Sequence, residues 1–72
     1  MKVKLTVKMV GGKKCLIIPA WYYDLFETGK RYNGLLCTII GRYRVLLIPP
    51  MIEDQFIIGK QYEIEVLQNP QA

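Results

Sequence analysis

A side-chain nucleophile needs a base to take its proton, and this chain has neither the histidine nor the serine from which the usual pairs are built. Its carboxylates are Asp24, Glu27, Glu53, Asp54, Glu63 and Glu65. Asp24 and Asp54 fall at matching places in two predicted short helices, where a carboxylate serves a turn or the helix itself better than proton transfer. Cys15 and Cys37 could form a disulfide, supply half a metal site or fill the core. A cysteine pair without histidine does not complete the usual four-ligand zinc site. Thirty residues from each cysteine stands a valine, Val45 for Cys15 and Val7 for Cys37. Residues interchangeable with valine are most simply small buried hydrophobes. Catalysis, a metal and a cofactor are therefore not expected.

What remains is chemistry directed at phosphate. Lys8, Lys13 and Lys14 flank Gly11-Gly12, and Arg42 and Arg44 follow Gly41. Cations carried on paired turns can straddle the phosphates of a duplex, and these five residues are the candidate DNA contacts. The net charge of +4 comes entirely from residues 1–30, since the charges of residues 31–72 cancel. Lysines on strands also guard exposed edges, so a nucleic-acid surface and a merely solvated one both fit. Trp21 and Tyr23 could serve as stacking platforms for a single strand, or pack at an interface between copies. With 51% hydrophobic residues on 72 positions, one copy has little interior in which to hide them. A homo-oligomer is the expectation, with Trp21, Tyr23 and Met51 as its candidate contacts.

These residues are ordered by a repeat. Residues 11–32 and 41–62 agree at nine of 22 positions: Gly11/Gly41, Leu16/Leu46, Ile18/Ile48, Pro19/Pro49, Asp24/Asp54, Phe26/Phe56, Gly29/Gly59, Lys30/Lys60 and Tyr32/Tyr62. Average composition would give only one or two such matches, so the chain reads as an internal duplication, with repeats at about 3–32 and 33–62. Val3, Leu5, Val7 and Met9 alternate with Lys2, Lys4, Thr6 and Lys8, the period of a half-buried strand. Gly11-Gly12 then predicts a hairpin turn, and Lys13 to Ile18 returns as a second strand stopped by Pro19. Ala20 to Phe26 predicts a short helix with Tyr22 above Phe26. Apolar residues on both faces of Tyr32 to Ile40, with Leu35, Leu36, Cys37, Ile39 and Ile40, predict a central strand covered on both sides. Arg42 to Ile48, a helix from Met51 to Phe56, a closing strand at 62–67 and a tail at 68–72 complete one 72-residue domain of five strands and two helices.

The order strand, glycine turn, strand ending in Ile-Pro, short helix, glycine turn and strand resembles the AbrB/SpoVT-type DNA-binding domain. The resemblance rests on Gly12 to Ile18 with Pro19, Phe26, Gly29-Lys30 and the strand from Tyr32. It returns on Arg44 to Pro49, Phe56, Gly59-Lys60 and Tyr62. It implies a mainly β fold with two short helices, a small swapped-hairpin or cradle-loop β-barrel built here from two ββα repeats plus a final strand. It also implies double-stranded DNA as the ligand and transcription regulation as the role. Family members commonly carry arginine in the helix after Ile-Pro, where this chain has Tyr22, Tyr23 and Asp24, then Ile52, Glu53 and Asp54. Any DNA contact is thereby left to the hairpin tips. The competing expectation is a non-catalytic assembly module that keeps the barrel without binding DNA, or a single-strand binder. No apolar stretch approaches the ~18 residues a membrane helix needs, and the lysine-punctuated first eight residues are unlike a secretory signal. A cytoplasmic location is the expectation.

Overall fold

The computed structural model describes residues 1–66, and among them six antiparallel strands form one sheet. The strands are β1 (Lys2–Val10), β2 (Lys13–Ile17), β3 (Arg31–Tyr32), β4 (Leu35–Ile40), β5 (Tyr43–Leu47) and β6 (Gln61–Glu65), arranged in the order β3-β4-β5-β2-β1-β6. Two 3-10 helices, Ala20–Leu25 and Pro50–Gln55, follow β2 and β5. The expected strand from Tyr32 to Ile40 is split, because Asn33 and Gly34 sit at φ 53° and 82° in a two-residue hairpin turn. Five expected strands thus become six. The closing strand expected at 62–67 is Gln61–Glu65, and the tail expected at 68–72 lies outside the described residues. No helix of the described residues is long and apolar enough to cross a membrane.

The sheet is open, which corrects the expected barrel. Closure would need a ladder between the edge strands β3 and β6. The turn after Tyr32 leaves β3 only two residues long, and the link across is a hydrogen bond from Glu65 N–H to Asn33 Oδ1 at 3.2 Å.

The hydrogen bonds recur at a thirty-residue offset. Leu16 pairs with Leu46 at the centre of the sheet, with Cys15 opposite Leu47 and Ile17 opposite Val45 on either side. The Ile18 N–H donates to Arg44 O and the Ile48 N–H to Lys14 O. Cys37 exchanges bonds with Gly29 and Lys30 just as Val7 does with Gly59 and Lys60. Tyr32 stands opposite Leu35, and Tyr62 opposite Leu5. In the second case β6 runs on along β1, and the Met1 amino group donates to Glu65 Oε2 at 2.9 Å and to Val66 O at 3.1 Å. Burial follows the same rule, since the pattern over residues 11–20 returns unchanged over 41–50.

One face of the sheet holds the main core. Val7, Leu16, Cys37 and Leu46 fill its middle, and Phe26, Ile18, Ile48 and Val66 close it from the helices and ends. The strands covered on both faces are β2 and β5 rather than the expected Tyr32–Ile40 segment, for Cys15, Leu16, Val45 and Leu46 are all fully buried. Alternation puts Cys15, Ile17, Val45 and Leu47 on the second face, together with Val10 and Ile40 from the hairpin ends. There a β-carbon on Gly11 would come within 2.9 Å of Ile40 Cγ2. The two hairpins therefore bend toward each other over Cys15 and Val45.

The helices are tighter than expected. Their bonds run from i to i−3, as in Tyr22 N–H to Pro19 O and Ile52 N–H to Pro49 O. Phe26 and Phe56 are extended residues just past the helix ends, not members of an α-helical stripe. Each ring meets the tyrosine six residues on, Phe26 with Tyr32 at 4.8 Å and Phe56 with Tyr62 at 4.9 Å between centroids. The same tyrosine hydroxyls accept from Glu27 N–H and Ile57 N–H, fixing the loop after each helix.

Candidate nucleic-acid interface

The five cations expected at the hairpins divide into two sets. Lys14 and Arg44, thirty residues apart, each reach the short helix of the other half. Lys14 Nζ donates to Glu53 O and Phe56 O at 3.0 and 2.9 Å, and Arg44 Nη1 donates to Tyr23 O and Phe26 O at 3.2 and 3.0 Å. Tyr23 O and Glu53 O also accept the Phe26 and Phe56 N–H groups that close the helices, so each cation adds a second donor at a helix end and meets the negative end of the helix dipole. Arg44 lies 4.6 Å over the Tyr23 ring as well, which accounts for the half-buried state of that tyrosine. Its Nε is buried without a partner among the described residues, the residue of placing a five-donor fork where two carbonyls wait.

Lys8, Lys13 and Arg42 form the second set. All three are exposed, and among the described residues none has a carboxylate within ion-pair distance. Charge is segregated along the chain: neither Met1 to Tyr23 nor Thr28 to Ile52 contains an acid, so both hairpins carry cations alone. All six carboxylates lie on the helices, the loop after the first of them, and β6. Alternation puts Lys8 and Lys13 on the face that holds Cys15, and Arg42 sits in the turn of the hairpin whose Ile40 meets Gly11.

Two clefts flank that convergence, at matching positions. One, of about 470 Å³, is lined by Leu36, Leu47 and Pro49 with Lys13, Arg31 and Glu53 at its rim. The other, of about 500 Å³, is lined by Thr6, Ile17 and Pro19 with Lys4, Lys8 and Trp21. A third cleft of about 360 Å³ lies against the first hairpin tip, between Gly11, Ile17 and Tyr43, and shares Lys8 and Ile17 with the second.

Of the expected interface residues, Trp21 and Met51 project freely, at 79% and 90% exposure, while Tyr23 is held under Arg44. Cys15 and Cys37 are both free and fully buried. They point to opposite faces of the sheet, which excludes a bond between them within one chain. Burial raises both thiol pKa values. A backbone hydrogen bond near Val10 partly opposes this for Cys15, and the Arg44 charge does so for Cys37.

Sequence reasoning did not separate Lys14 and Arg44 from the free cations, nor assign the tyrosine hydroxyls. A signal existed for both: the offset pairs a base with a base at 14 and 44, and a tyrosine with a tyrosine at 32 and 62. Lys4, which lines the Trp21 cleft, was read only as a solvated strand residue. Set against family models, curated proteins and solved structures, the chain matches none of them significantly.

Proposed function

We propose that the chain is a non-catalytic DNA-binding protein, an AbrB-like regulator that grips duplex DNA through its hairpin tips. The observation that carries this reading is the approach of two acid-free hairpins at Gly11 and Ile40, whose exposed Lys8, Lys13 and Arg42 have no carboxylate partners among the described residues. Backbone contact of this kind supplies affinity without base selection. The thirty-residue recurrence of hydrogen bonds supports the further reading that an internal duplication, 3–32 and 33–62, does within one chain what the resembling family does with two. The test is fluorescence anisotropy of a labelled mixed-sequence duplex at low and moderate salt. Replacing Lys13 and Arg42 together with Ala should weaken binding across sequences and lower the salt slope by roughly one logarithmic unit per lost phosphate contact. Failure of the unaltered protein to bind duplex at low salt would end this reading.

The exposure of Trp21 and Met51 favours a second one, a self-associating module. Sedimentation at tens of micromolar decides it, and a strictly monomeric mass counts against it.

A further inference from the structure

We infer that the cleft beside Trp21 holds an unpaired nucleobase with its phosphate, so that this face also takes single-stranded nucleic acid. The inference goes beyond duplex binding at the tips and rests on Trp21 and Lys4, sharing only Lys8 with them.

Trp21 is 79% exposed and lines the cleft, and its ring and that of Tyr22 pack in an edge arrangement at 6.3 Å between centroids. Ile17 and Pro19 provide an apolar floor, and Lys4 and Lys8 stand along the wall. No carboxylate lines this cleft or the adjoining tip cleft, and Glu63, the cross-strand partner of Lys4, does not reach it. An aromatic face beside a pair of cations is the arrangement that recognises a base and its phosphate at once. The volume of about 500 Å³ admits one nucleotide rather than a duplex. Through Lys8 and Ile17 the cleft continues to Tyr43, 48% exposed, so a second base along the strand meets a second ring.

The matching cleft of the other half is the internal control. Where the first has Lys4, Thr6, Lys8 and Trp21, the thirty-residue offset gives Gly34, Leu36, Thr38 and Met51. That cleft takes its cations from Lys13, Lys14 and Arg31 instead, has no aromatic side chain in its lining, and carries Glu53 on its rim.

Trp21 is the sole tryptophan, so its fluorescence reports the cleft directly. Titration with oligothymidylate, which forms no duplex, should quench it saturably, while a duplex of equal length should not. By anisotropy of labelled oligothymidylate, Trp21→Ala should weaken binding roughly 5- to 150-fold, the span set by one stacked base. Trp21→Phe should recover most of the loss. Lys4→Gln should weaken binding and reduce its salt slope, whereas Met51→Ala and Lys13→Ala should leave it unchanged. Since Lys13→Ala is expected to weaken the duplex complex, the two proposals fail separately. Absence of quenching, equal quenching by duplex, or undiminished binding by Trp21→Ala would each overturn the inference. So would Trp21 emission that shifts with protein concentration alone, because a second copy would then cover the cleft.

Discussion

Leu16 and Leu46 face each other in the middle of the sheet and are both fully buried, whereas Trp21 and Met51, related by the same offset, are both largely exposed and share only their apolar character. The contrast between these two pairs runs through the molecule. Positions that carry the shared hydrogen bonds hold the same or closely similar residues: Leu5 and Leu35, Cys15 and Val45, Lys14 and Arg44, Tyr32 and Tyr62. In the two clefts Pro19 and Pro49 still match, but across the offset Thr6 corresponds to Leu36, Gln61 to Arg31 and Trp21 to Met51. Close packing tolerates little change of volume, so a residue in the central ladder is held by neighbours on all sides. A cleft wall has solvent on one side and is free to acquire a ring or a charge. One backbone frame therefore carries two different surfaces, and of these two clefts the one with Lys4 and Lys8 is the one that also has an aromatic ring, Trp21, in its lining.

The equivalence of the halves is broken most sharply at the phenylalanines. Phe26 is buried to 1% exposure, but Phe56 is only half-buried, with exposed Gln55 where Leu25 packs in the first half. Phe26→Ala should cost about 3–5 kcal/mol of unfolding free energy and Phe56→Ala distinctly less, measured by denaturant melts. Equal losses would mean that the second helix is packed as tightly as the first.

Lys14 and Arg44 test the equivalence in the other direction. Replacing either with Met should remove about 1–3 kcal/mol, since two helix-end carbonyls lose a charged donor. Arg44→Lys, which copies Lys14, should cost far less, because it keeps the charge and removes a buried Nε without a partner.

At the hairpin tips, Gly11→Ala and Gly41→Ala should both lose about 1–2 kcal/mol for a side chain at φ 59° and 62°. Gly11→Ala should lose more, for its methyl must displace Ile40 Cγ2, while nothing lies near the Gly41 position. Thermal melts that rank the two the other way would separate the tips.

The smallest effect belongs to the cysteines. Cys15→Val with Cys37→Val, installing the residues found thirty positions away, should change stability by less than about 1 kcal/mol, with or without reductant. Burial raises both thiol pKa values above 9.0, so the folded chain keeps protons that the unfolded chain releases. Their contribution is complete below pH 9.0 and fades as pH rises through the folded-state values. The double variant should lack that alkaline decline in a pH series of melts.

Much of this was legible in residue types and spacing. Alternation in Val3, Leu5 and Val7, the turn at Gly11-Gly12 and the stops at Pro19 and Pro49 announced strands and breaks, because each acts within a few residues of itself. The offset placed both cysteines among buried valines. One local signal was overlooked: Asn33-Gly34 is a hairpin turn in its own right, masked by the apolar run around it.

What the sequence by itself determined was therefore local: where most strands begin, turn and stop, and which residue types recur thirty positions apart. The tertiary structure alone decided that Leu16 meets Leu46, that β2 and β5 are the strands buried on both faces, and that the sheet stays open. It also decided that Lys14 and Arg44 are spent on the helix ends 39 and 21 residues away, leaving Lys8, Lys13 and Arg42 exposed. The reason is physical. A lysine beside a glycine turn has the same local chemistry whether it points to solvent or to a carbonyl, and only the long-range register of the strands selects between them.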